Sequence, residues 1–122
     1  DFVIVHQDKN YLCELKEKIA DFLESELKLH FHPHKISIRK YRQGIDFLGY
    51  VSLPKARVLR TKVKRRIFKK LKERVGQFKS GKITEETLLR SFDSYLGVLS
   101  HADSYRLEQE LRQKLWEWVK EP

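Results

Sequence analysis

Between Arg60 and Lys82 stand eleven Lys or Arg residues and one acid, Glu73. Charged helix faces ordinarily mix both signs. This segment does not, so it reads as a surface for phosphate rather than as a merely solvated face. Lys62, Arg65, Arg66, Lys69 and Lys72 can share one helical face beside or opposite an apolar stripe, with Arg60 just ahead of them. Cations so arranged neutralise successive phosphates and release their counterions, which gives binding that ignores base sequence and weakens in salt. A second spacing with chemical content is His30, His32 and His34. On a straight strand the three imidazoles would share a face, as zinc or nickel requires. Pro33 interrupts any such strand and no cysteine lies nearby, so these histidines are read as holding no metal. Trp116 and Trp118 are read as packing residues, because stacking on bases needs exposed rings.

The elements that must position the basic face come from apolar periodicity. Residues 61–122 read as all-helical. Thr61 is the expected N-cap of a helix whose stripe is Val63, Ile67, Leu71, Val75 and Phe78, and Ser80-Gly81-Lys82 stops it. Thr84 caps the next helix, with Glu85 and Glu86 in its first turn. Its stripe is Leu88, Leu89, Phe92, Tyr95, Leu96 and Leu99. Ser100-His101-Ala102-Asp103 has the form of a capping box with Asp in the Glu position, ahead of a last helix carrying Leu107, Leu111, Leu115, Trp118 and Val119. Three short helices with facing stripes make a small bundle.

Residues 1–60 read as a mixed lobe. The apolar run Phe2-Val3-Ile4-Val5 is expected to be a strand covered on both faces. Asp8 caps a helix with Leu12, Leu15, Ile19, Phe22, Leu23 and Leu27 on one side. Leu29 to His32 is a short strand that Pro33 keeps from being central. A hairpin follows, with Ile36, Ile38 and Lys40 alternating on one strand, an Arg42-Gln43-Gly44 connection, and Ile45, Phe47 and Leu48 leading into the second. Val51 to Lys55 reads as a turn and Arg57 to Arg60 as a final strand. The expected fold class is α+β, strands plus one helix and then a helical bundle, with the lobes joining near residue 60.

Composition bounds the function. The chain has 122 residues, enough for one modest domain or two small lobes. Lys plus Arg is 26 against 17 Asp plus Glu, a formal net charge of +9, and the pI near 9.7 favours a polyanionic partner. No apolar run approaches the ~18 residues a membrane span needs, so no membrane partner is expected. The short apolar start opens with an acid, unlike a signal peptide. One cysteine, Cys13, cannot form an internal disulfide, which fits a cytoplasmic location. Without a methionine the chain reads as an excised or processed piece.

Three segments carry a resemblance. Phe47-Leu48-Gly49-Tyr50, preceded by Gly44-Ile45-Asp46, resembles the primer grip of reverse transcriptases. Leu29-x-x-x-Pro33-x-Lys35 resembles the palm motif before it, and Asp1-Phe2-Val3-Ile4-Val5 resembles the tail of the Tyr-x-Asp-Asp active-site turn. They occur in the family's order and usual spacing, a basic helical segment follows, and the likeness covers the whole chain. It is nearest to the bacterial types found in group II introns, retrons and diversity-generating elements. The local run His32-Pro33-His34-Lys35 is richer in histidine than the family pattern.

The resemblance implies a fragment of an RNA-directed DNA polymerase: the C-terminal part of the palm with the primer grip over 1–60, and the helical thumb over 61–122. It implies an RNA template, a DNA primer, deoxynucleoside triphosphates and magnesium. Asp1 would be the second aspartate of the catalytic turn and a ligand of one of two metal ions. Lys35 would lie near the incoming triphosphate, neutralising charge or protonating the departing pyrophosphate. Phe47, Leu48, Gly49 and Tyr50 would place the primer end, Gly49 by close backbone approach and Tyr50 by stacking or hydrogen bonding, while the apolar bodies of Phe47 and Leu48 are read as core. The partner carboxylates of Asp1 lie outside this chain in that pattern, so the chain alone is expected to be inactive. Two other function classes are compatible with the residues: a non-catalytic basic nucleic-acid-binding module, and a basic helical adaptor for acidic proteins.

Overall fold

A computed structural model describes residues 1–122 and divides them into two compact units, 1–40 and 41–122. The fold is α+β, with one three-stranded antiparallel sheet and four α-helices. The sheet belongs to the same unit as the last three helices.

In the first unit, helix α1 spans Lys9–Leu27. Asp8 caps it as expected, its Oδ1 accepting from the Asn10 N–H at 2.8 Å. Leu12, Leu15, Ile19 and Leu23 are half-buried, whereas Phe22 and Leu27 are exposed, and no residue of α1 is fully buried. The two strands expected here do not form. Phe2 to Val5 is exposed and in no strand, and Leu29 to His32 is irregular. Apolar character alone does not make a strand, because its N–H and C=O groups need a neighbouring strand to pair with. Pro33 and His34 form a turn in which the Lys35 N–H reaches the His32 carbonyl at 3.1 Å. His32 Nδ1 accepts from the His34 N–H. Ile36 to Lys40 is not a strand either.

In the second unit a 3₁₀ turn, Tyr41–Gln43, leads into β1 (Ile45–Phe47), β2 (Tyr50–Leu53) and β3 (Ala56–Leu59), hydrogen-bonded in that order. Phe47 pairs with Tyr50, and Leu53 with Ala56. The hairpin is therefore displaced from the expected one. Its turn is Leu48-Gly49, not Arg42-Gln43-Gly44, and Val51 to Leu53 is strand, with the next turn confined to Pro54-Lys55. Leu48 and Gly49 both take positive φ, 53° and 88°. That is the mirror-image two-residue turn whose twist matches an antiparallel pair. Glycine occupies one of its positions freely, while leucine there is an uncommon occupant.

Helices α2 (Thr61–Lys79), α3 (Glu85–Ser100) and α4 (Tyr105–Lys120) form the bundle. Their core is Ile67, Leu71, Val75, Leu88, Phe92, Leu99, Leu111 and Leu115, with Leu59 of β3 and Val63 packed against it. Thr84 caps α3, accepting from the Thr87 N–H at 3.2 Å, and Gly81 takes φ 73° where α2 stops. Four expectations are corrected. The chain enters α2 straight from β3, so Arg60 rather than Thr61 holds the cap position, without a side-chain cap bond. Ser100 ends α3 and Ser104 precedes α4, so Ser100 to Asp103 is no capping box. Asp103 instead bonds β3: its N–H donates to the Arg57 carbonyl at 2.7 Å and its Oδ2 accepts from the Arg57 N–H at 3.0 Å. Leu89, expected in the stripe of α3, is exposed, and so is Trp116, while Trp118 packs. Residues two apart on a helix diverge by about 200°, so the two tryptophans cannot share one face. No helix is long and apolar enough to cross a membrane.

Candidate nucleic-acid interface

Helix α2 buries Ile67, Leu71 and Val75 on one side and leaves Lys62, Arg65, Arg66, Lys69, Lys70 and Lys72 exposed. The contrast with its neighbours is in the pairing. On α3 and α4 three of the five cations meet acids one turn away: Arg90 with Glu86, Arg112 with Glu108 at 3.0 Å, and Lys114 with Glu117 at 2.7 Å, while Arg106 and Lys120 do not. The hydrogen bond from Lys114, aided by one from Gln113, holds the Glu117 carboxyl below the usual carboxylate range, and the same bond lifts Lys114 above the ordinary lysine value. On α2 only Lys64 reaches an acid, Glu110, at 3.8 Å. None of Lys62, Arg65, Arg66, Lys69 and Lys70 enters an ion pair. Lys72 leans over the Trp118 ring of α4, 5.8 Å from its centroid.

The sheet turns this face into a site. An open cleft of about 500 Å³ lies between the β1–β2 turn and α2, and its rim includes Leu48, Gly49, Tyr50, Arg60, Arg66 and Lys70. The structure thus brings Leu48 to Tyr50 together with Arg60 and Arg66 from the expected basic set. Lys62, Arg65, Lys69 and Lys72 are not among the cleft residues. Lys70, which belongs to the cleft, is missing from the expected face. Its signal was available in the sequence: it follows Arg66 by four residues, one helical turn.

The wall of the cleft is held firmly. The Arg60 N–H donates to the Gly49 carbonyl at 2.8 Å. The Arg60 guanidinium bonds Asp46 of β1, Nε reaching Oδ1 at 2.8 Å and Nη2 the same oxygen. The Tyr50 hydroxyl donates to the Val98 carbonyl at 2.7 Å. Val98 lies in the last turn of α3, where carbonyls lack an intrahelical partner, so the phenol serves the fold. Its donor is already engaged, which leaves the half-buried ring as what Tyr50 offers to the cleft. Leu48 is 71 % exposed, not a core residue as expected, whereas Phe47 is half-buried. Tyr50→Phe should lower stability by about 0.5–1.5 kcal/mol, the usual net worth of one such bond, while leaving the affinity of the cleft for polyanions unchanged. Thermal unfolding and a binding titration check the two halves separately.

Asp1 and Lys35 belong to the first unit, and both are exposed. No group of three or more His, Cys, Asp or Glu side chains is gathered to hold a metal ion. A single exposed carboxylate does not make a two-metal magnesium site, so the residues present do not complete one. A scan against family models, a search of curated proteins and a search of solved structures each return no match.

Proposed function

We propose that the cleft between the β1–β2 turn and α2 binds a nucleic-acid duplex through its phosphate backbone. We further propose that the chain is part of an RNA-directed DNA polymerase of the reverse transcriptase type, acting in the cytoplasm. In that role residues 41–122 hold primer and template for magnesium-dependent nucleotide addition, with Leu48 to Tyr50 at the primer end. Asp1 and Lys35 contribute only with the rest of the catalytic palm, as metal ligand and as neighbour of the incoming triphosphate. The observation that carries duplex binding is the placement of Arg66 and Lys70, exposed and without acid partners, on the rim that Gly49 and Tyr50 complete. The sequence resemblance supports the polymerase assignment.

The test is a titration of the chain with an RNA–DNA duplex over a range of salt. With three or more phosphates neutralised, log K falls with log salt at a slope of roughly −3 or steeper. Binding that salt leaves unchanged would sink the proposal, and so would no binding at low salt.

A second reading is a nucleic-acid-binding module without catalysis, which the exposed cations of α2 support equally well. Primer extension separates the two. A polymerase containing this chain loses extension on Asp1→Asn and keeps duplex binding, whereas a binding module has no extension to lose.

A further inference from the structure

We infer that Asp46 holds the place of a nucleic-acid phosphate on Arg60 in the unliganded protein, and that duplex binding exchanges the carboxylate for a phosphate. The inference rests on duplex binding by the same cleft.

Between Glu26 and Glu73, Asp46 is the only acid, against fifteen Lys or Arg. An acid in that setting lowers the attraction for a polyanion. It is also not a bystander, because it pairs with one of the three cations on the cleft rim. The other two, Arg66 and Lys70, are left without acids. The pair is built to exchange. Its side chains are 39 % and 48 % exposed, and an ion pair so open to water is weak and screened by salt. Both Arg60 donors converge on Oδ1, so the guanidinium does not meet the carboxylate fork to fork. A phosphate offers it the two parallel bonds that its planar geometry favours. The Arg60 backbone is held at Gly49, so the exchange needs movement of the side chain alone. Once a phosphate sits on Arg60, Asp46 faces a like charge and is driven off the guanidinium.

The experiment compares four versions of the 122-residue chain by titration with an RNA–DNA duplex: the unaltered protein, Asp46→Asn, Arg60→Gln, and the double variant. Asp46→Asn should tighten binding about two- to fivefold, the worth of an exposed pair converted to affinity. Its salt slope should steepen by up to about 0.9, because Arg60 no longer gives up a partner when it meets a phosphate. In the Arg60→Gln background the same change should give no such gain. Asp46→Ser should repeat the sign, and circular dichroism confirms that each variant is folded. Weaker or unchanged binding by Asp46→Asn overturns the inference. So does an equal gain with and without Arg60, which would mark a general charge effect. If the unaltered protein binds in a salt-dependent way and Asp46→Asn gives no gain, the exchange alone falls. If the unaltered protein does not bind, duplex recognition falls and the exchange with it.

Discussion

Replacing Arg66 and Lys70 together by alanine should weaken duplex binding roughly ten- to a hundredfold at low salt, about 1.4–2.7 kcal/mol. The dependence on salt should flatten at the same time, by about 1.8 in the slope of log K on log salt, since each lost phosphate contact removes about 0.9. The loss should be the same for unrelated base sequences, because backbone contacts carry no sequence information. Folding should be spared. Neither side chain enters an ion pair and both are exposed, and alanine is the best helix former. The control is Lys55→Ala with Lys82→Ala, which removes two charges at positions off the cleft. An equal loss in the control would mean that binding follows net charge and not this site.

Leu71→Ala should cost about 2–5 kcal/mol, the range for truncating a leucine in a packed core. Leu71 has no accessible surface and sits among Ile67, Val75, Leu99 and Leu111. For a domain of 60–100 residues each kcal/mol shifts the melting temperature by about 4–8 °C, so a fall of roughly 8–40 °C is expected on thermal unfolding. That is a large share of the stability a small domain possesses. Leu89→Ala is the matched comparison, since Leu89 is 46 % exposed, and its effect should stay within about 0.5 kcal/mol. A small change at Leu71 would contradict the packing described for α2, α3 and α4.

The three bundle helices were legible because their signals are local. Leu71, Leu99 and Leu111 recur at helical spacing with their neighbours, Thr84 announces a start and Gly81 a stop. Strands depend on partners distant in sequence, and there local pattern misled. Phe2 to Val5 has the composition of a buried strand and pairs with nothing. In the sheet, the turn falls on Leu48, a residue that local preference argues against, so Gly44 looked the better connection. The site divides along the same line. The excess of cations on α2 is a matter of counting. Which of them meet the β1–β2 turn depends on how the sheet lies on the helix, and so Lys70 and the partnership of Asp46 with Arg60 emerge only in three dimensions.

The two bonds between Arg57 and Asp103 have a consequence for how copies of the protein meet. β3 is one of the two edge strands of the sheet, and its unpaired side would be a template for a strand from another molecule. Midway along it, the N–H and C=O of Arg57 are already occupied by Asp103. A visiting strand would have to displace the connection between α3 and α4 before it could add a rung. This loop thus guards the β3 edge against strand addition, on a chain whose net charge of +9 also opposes self-association.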